Sequence, residues 1–207
     1  MFPALTEFFN SLAVSFDLPI LEWIQANLQS GFMDVAMPLI TLLSEDGIFW
    51  MILATILLLF PKQRRTGLGM WLALAMGLVI CNMILKPLVG RMRPYDFQIQ
   101  ELEKTWNDIL VGGKLLVETP HDFSFPSGHT IASFEASMVM LFNSKKMGIP
   151  AVILAFAIAF SRLYLYVHYP TDVIFSIFAG ILIAIIGNLI AKKIPLGKFG
   201  KKGKYEK

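Results

Sequence analysis

Cysteine is nearly absent from this 207-residue chain: Cys81 is the only one, and it lies inside an apolar run. An internal disulfide is therefore excluded, and thiols carry no information on redox compartment. No Lys or Arg precedes the first apolar segment, which argues against a cleavable signal peptide. Asp and Glu form no cluster at obvious metal-ligand spacing near the motifs described below, in keeping with an expectation of no metal and no other cofactor. Charged residues make up only 16% of the chain, and there are three histidines. Each buried or membrane-level charge thus becomes informative.

Apolar residues are in excess. They form 56% of the chain and the mean hydropathy is +0.62, a composition rare in water-soluble domains. Five stretches with few charges approach the ~20 residues needed to cross a bilayer. They run from Gly47 to Phe60, Gly67 to Gly90, Ser127 to Phe142, Gly148 to Val167 and Thr171 to Ala191. A sixth, half-amphipathic stretch covers residues 18–43, where Val35 to Leu43 is apolar and Glu22, Gln25, Asn27, Gln29 and Asp34 precede or flank it. Phe2 to Phe16 places Leu5, Phe8, Phe9 and Leu12 at helical spacing among Glu7 and Asn10, the pattern of an interfacial helix. The expected fold is all-α: a polytopic membrane bundle of six transmembrane helices with an N-terminal interfacial amphipathic helix. Three parts follow, an interfacial segment 1–17, a membrane domain 18–191 with an outer loop 95–122, and a basic tail 192–207.

Basic residues orient this bundle. Lys62, Arg64 and Arg65 share one loop, Lys145 and Lys146 another, and seven lysines follow the last apolar stretch. Positive charge marks the cytoplasmic side of membrane proteins, so these segments and both termini are expected there, in the inner or plasma membrane. The lysine tail reads as a topology signal beside anionic inner-leaflet lipid, and no nucleic-acid partner is expected. The opposite, extracytoplasmic side receives the Glu45 to Gly47 turn, the segment from Arg93 to Pro126 and the connection around His168.

Lys86, Arg91, Arg93, Lys104, Lys114 and Arg162 remain, all near or beyond the outer end of the bundle, and Lys86, Arg93 and Arg162 invite a chemical reading. A cation in an apolar span is costly unless it faces a polar cavity or a partner, so their convergence suggests an anion site. Lys86 and Arg93 are seven apart, which on a continuous helix places both on one face, two turns apart. Snorkelling to headgroups accounts for Arg91 and Arg93 individually but fits three cations at matching depth poorly. Pro126-Ser127-Gly128-His129 opens the fourth span, where Gly128 permits close backbone approach and a helix start offers free N–H groups; a helix cap by Ser127 is the plainer reading. His168 precedes Pro170, which can open the last helix and place Asp172 in its first turn, reaching back to orient the imidazole. Glu135 is a notable acid deep in a span and either lines the inner end of a pocket or pairs with a neighbour such as Asn82; pairing is the reading preferred.

Together these residues resemble the type 2 phosphatidic acid phosphatase superfamily. The resemblance rests on Lys86, six residues, then Arg93-Pro94; on Pro126-Ser127-Gly128-His129; and on Ser161-Arg162, five residues, His168, three residues and Asp172. It covers about residues 31–191 and implies a lipid phosphate substrate and a phosphohistidine on His168, with Asp172 orienting it. It further implies that His129 is the acid and then the base, and that Lys86, Arg93, Ser127, Gly128 and Arg162 hold phosphoryl oxygens. Compact bacterial members direct the substrate expectation to undecaprenyl pyrophosphate, with phosphatidylglycerophosphate and phosphatidic acid as alternatives. A transporter or a non-catalytic lipid-binding protein is the alternative of another class. The segment 95–122 is either a partial cover or a connector, His121 carries no assigned role, and oligomeric state is not encoded legibly.

Overall fold

Residues that cannot continue a helix decide where each one starts and stops. A computed structural model describes residues 3–195, with side chains from residue 6 onward; Phe2 and the lysines beyond residue 195 lie outside the described residues. Helix α1 (Pro3–Leu12) passes through a π-helical segment, Ala13–Asp17, into α2 (Leu18–Leu28). Helical geometry thus crosses the expected segment edge at residue 17 without a break. Pro19 has no N–H for the ladder and crowds the preceding turn, and the wider π turn just before it accommodates both.

Helix α3 (Gly31–Leu42) begins at Ser30, whose Oγ accepts the Met33 amide at 3.3 Å. A tight turn at Glu45–Gly47, with φ of 48° at Asp46 and 70° at Gly47, kinks the chain into α4 (Ile48–Leu59). Helix α5 (Arg64–Gly77) continues through a π-helical stretch, Leu78–Leu85, into α6 (Lys86–Val89). Gly90 then ends it with a φ of 61°, a left-handed cap that glycine adopts without steric cost. The helix therefore does not run on from Lys86 to Arg93: the backbone is extended at Arg93, and α7 (Pro94–Glu101) restarts behind it with Pro94 in its first turn. A capping box between Thr105 and Asp108 opens α8 (Trp106–Ile109). Helices α9 (Gly128–Asn143), α10 (Lys145–Tyr164) and α11 (Pro170–Lys193) complete the bundle.

No strand occurs among the described residues, and the chain is all-helical. Four helical stretches are long and apolar enough to cross a membrane, Gly31–Leu59, Arg64–Glu101, Lys145–Tyr164 and Pro170–Lys193, the first two containing the kinks at Asp46 and Gly90. Helix α9 packs against α10, α11 and α5, while α5 also packs on α4 and α11, and α2 and α3 flank α10. Trp50, Met70, Ala73, Ile131, Val139, Ile158 and Ile183 fill the space between these helices. Outward faces are apolar too, with Phe32 78% and Phe178 69% exposed. Apolar surface on both sides of the helices suits a hydrocarbon solvent, in which only self-satisfied backbones are tolerated. Polar residues are thereby left to gather at one end, between the start of α9, the end of α10 and the start of α11.

Candidate active site

A cavity of about 820 Å³ opens there, lined by Lys86, Arg93, Arg162, His129 and His168 together with Glu45, Asn82, Asp122, Gly128 and Glu135. The three cations reach it by different routes. Lys86 comes from the first residue of α6, Arg93 from the extended stretch after the Gly90 cap, and Arg162 from the last turn of α10. Lys86 and Arg93 both pair with the carboxylate of Asp122, and Arg93 Nε also donates to the Asp122 carbonyl at 2.9 Å. Burial alone would raise the Asp122 carboxyl, but the two cations outweigh it and hold it well below the ordinary carboxylate range. Arg162 Nη1 donates to Thr41 Oγ1 at 2.6 Å, while its buried Nε has no hydrogen-bond partner among the described residues. Buried donors are rarely left unsatisfied, so an unpaired guanidinium N–H in a cavity wall marks a place where an anion would be held.

His168 lies in the short loop between α10 and α11. Tyr166 in that loop has a φ of 61°, unusual for a residue with a Cβ, and its hydroxyl is tied to Gln98 Nε2 at 2.6 Å. This bend turns the Val167 carbonyl to accept Arg93 Nη1 at 2.6 Å and leaves His168 Nε2 3.4 Å from the same nitrogen. Behind the ring, Nδ1 stands 3.5 Å from Asp172 Oδ2 without a formed hydrogen bond. Asp172 is fully buried in the first turn of α11, as the position of Pro170 leads one to expect. Complete burial, followed by the fields of Arg93 and Arg162, holds the His168 imidazole well below its ordinary range. The ring is therefore neutral, with a lone pair to offer.

Across the cavity, His129 Nε2 lies 3.3 Å from Glu45 Oε2, and the His129 carbonyl accepts from Ser44 Oγ at 3.1 Å. The kink between α3 and α4 thus braces the start of α9. Two expectations need correction. Ser127 does not line the cavity: its amide donates to Ser176 Oγ at 2.9 Å and its Oγ contacts Thr130 Oγ1 at 2.9 Å, so neither group faces an anion. The hydroxyl is not a cap either, since it meets no backbone amide. Glu135 does not pair with Asn82; it lines the inner cavity wall against Gly77, and its Oε1 has no partner among the described residues.

Residues 66–195 match the PAP2 superfamily. The chain belongs to this family. Among curated relatives, an undecaprenyl-diphosphatase of Sulfolobus acidocaldarius is 28% identical over 72% of this chain and 66% of its own length. Undecaprenyl-diphosphatase BcrC of Bacillus subtilis is 42% identical over 32% of this chain and 36% of its own length. A decaprenylphosphoryl-5-phosphoribose phosphatase of Mycobacterium tuberculosis is 31% identical over 69% of this chain and 71% of that protein. The chain therefore spans less than two thirds of the first two relatives. In fold, it resembles the crystal structure of a transmembrane PAP2-type phosphatidylglycerolphosphate phosphatase from Bacillus subtilis, with a TM-score of 0.67 and 24% identity over 93% of this chain and 96% of that one.

The PAP2 match begins after several residues that the site uses. Asp17, Thr41 and Glu45 all precede it, and sequence reasoning singled out none of them as site residues. Arg91 was expected to reach headgroups; instead it is buried between Asp17, at 2.6 Å, and Asp172, at 2.5 Å. Ser124 Oγ also donates to Asp172, and the Tyr169 amide donates to Asp172 Oδ2 at 3.0 Å. Asp17 gave no sign beyond being an acid at the end of an apolar run.

Proposed function

We propose that this chain is a membrane lipid phosphatase that forms a phosphohistidine on His168. One observation carries the reading: a buried imidazole lines a cavity walled by Lys86, Arg93 and Arg162, with Asp172 behind its Nδ1. The cations would hold the three nonreacting phosphoryl oxygens, which displace the Asp122 carboxylate from Lys86 and Arg93, and the Gly128 backbone would approach them closely. Such preorganised donors stabilise a phosphoryl transition state by position and charge. Nε2 attacks phosphorus in line, the bond to the leaving oxygen breaks, and His129 gives that oxygen its proton. His129 then takes a proton from water as the water attacks the phosphohistidine. The P–N bond breaks, inorganic phosphate leaves, and His129 is again protonated. Glu45 beside His129 suits a group that must carry a proton between the two steps.

Undecaprenyl pyrophosphate is the proposed substrate, supported by relatives named undecaprenyl-diphosphatase from two organisms. Six membrane crossings and an interfacial α1, on the basis of the apolar stretches and their spacing, and cytoplasmic termini with an extracytoplasmic cavity, on the basis of the Lys and Arg distribution, complete the proposal. Labelling of Glu118→Cys from outside the cell by an impermeant maleimide tests the sidedness, and protection of that site would reverse it. The chemistry is tested by phosphate release from undecaprenyl pyrophosphate, phosphatidylglycerophosphate and phosphatidic acid in EDTA, with His168→Ala alongside. Release from the first substrate at the highest rate, lost in the variant, is expected. Release from none of them by folded protein would reject the reading in favour of transport or lipid binding.

A further inference from the structure

The N-terminal segment of the chain ends in a carboxylate that touches no part of the cavity, yet it is built into the back of the site. Asp17 is fully buried at the end of the π-helical turn. Its Oδ2 receives Arg91 Nη2 at 2.6 Å and Thr171 Oγ1 at 2.7 Å, and its Oδ1 receives the Thr171 amide at 2.9 Å. Arg91 Nη1 then donates to Asp172 Oδ1 at 2.5 Å, and Asp172 Oδ2 faces His168 Nδ1. The guanidinium is clamped between aromatic rings, 3.7 Å from the Tyr169 centroid and 4.8 Å from that of Phe9 on α1. All three ionic groups are buried, at most 6% exposed.

Charge balance makes this arrangement consequential. An Asp172–Arg91 pair alone would be neutral overall and would give His168 little net field. A second carboxylate on the far side of the guanidinium returns the assembly to a net single negative charge, in a low-dielectric setting where such a charge acts strongly. We infer that Asp17 is a positioning residue for the reaction, acting through Arg91 to keep that negative charge beside His168 Nδ1 as the ring becomes cationic on phosphorylation. This rests on the phosphohistidine reading above. It also makes the N-terminal segment, which precedes the PAP2 match at residue 66, an integral part of the catalytic scaffold.

Charge and structure are separated by two variants. Asp17→Asn keeps the shape and the acceptor for the Thr171 amide but leaves the assembly neutral; kcat is expected to fall at least tenfold. Inhibition by inorganic phosphate, which depends on the cavity cations, is expected to stay within twofold. Asp17→Asn/Arg91→Gln restores the net negative charge on Asp172, so kcat is expected to recover at least threefold from the single variant, although more hydrogen bonds have been removed. A merely structural role predicts the opposite order, with the double variant the slower. Unchanged kcat in Asp17→Asn, or a double variant that is slower than the single or does not fold, would overturn the inference. Should only the single variant fail to fold, the double decides: folded and within tenfold of wild type supports the inference, folded and inactive overturns it. His168→Ala in the same assays keeps the two readings distinct, because retained turnover there would reject the nucleophile itself, whatever Asp17 does.

Discussion

At the scale of single residues the site is governed by which charges are matched and which are left open. His168 is buried and held neutral, so protonating it in the folded protein is harder than in the unfolded chain, where an imidazole titrates near about 6.5. Its folded value is depressed, so its contribution to stability is fully present above that pH and is lost as pH falls below it toward the folded value. Melting temperature in detergent is therefore expected to drop from pH 7.5 to 5.5, and His168→Gln to flatten the drop; equal slopes would show that the ring titrates freely. Asp122 has the complementary role. It occupies Lys86 and Arg93 with a carboxylate that a phosphate must displace. Asp122→Asn removes the competitor, and the inhibition constant for inorganic phosphate is expected to fall severalfold. A weaker inhibition would mean that Asp122 chiefly holds the cations in place.

At the scale of elements, helix ends and close approaches bring these residues together. The Gly90 cap and the Pro94 start bracket Arg93, and the Tyr166 bend and the Pro170 start bracket His168, both of which line the cavity. Further from it, α4 and α5 meet at Gly67, where an added Cβ would lie 2.5 Å from the Ala54 carbonyl oxygen and 2.7 Å from the Leu58 nitrogen. Both neighbours are backbone and cannot swing aside. Gly67→Ala is expected to destabilise the protein by about 1–3 kcal/mol, the usual cost of overpacking; an unchanged thermal or denaturant midpoint would show that the two helices can separate freely. Much of this layout was legible beforehand. Pro170 announces a helix start whatever the tertiary context, and cations stranded in apolar runs have few places to go, whereas Pro94 reads as the end of a segment and instead opens α7 within the expected outer loop. The fate of Arg91 was not legible, because snorkelling and burial differ only in whether a partner arrives from elsewhere, and that partner, Asp17, lies 74 residues away. Ser127 was misplaced for a similar reason: its amide is claimed by Ser176 of α11, a packing contact without a sequence signature.

At the scale of the whole molecule, an apolar bundle gathers nearly all of its buried ionic groups at one end. Burying several charges in a small bundle is costly unless each has a partner or a ligand. Asp17, Arg91 and Asp172 satisfy one another behind the site, while Lys86, Arg93 and Arg162 turn toward the cavity, where a tetrahedral anion would complete them. The central claim is that phosphorus passes through His168 on its way to water. Stereochemistry at phosphorus tests it most directly, using a lipid pyrophosphate analogue made chiral at its terminal phosphorus with sulfur and oxygen isotopes. Two successive in-line displacements, first by Nε2 and then by water, predict overall retention of configuration in the released thiophosphate. Inversion would mean that water attacks the lipid phosphate in a single step and that His168 is not the nucleophile.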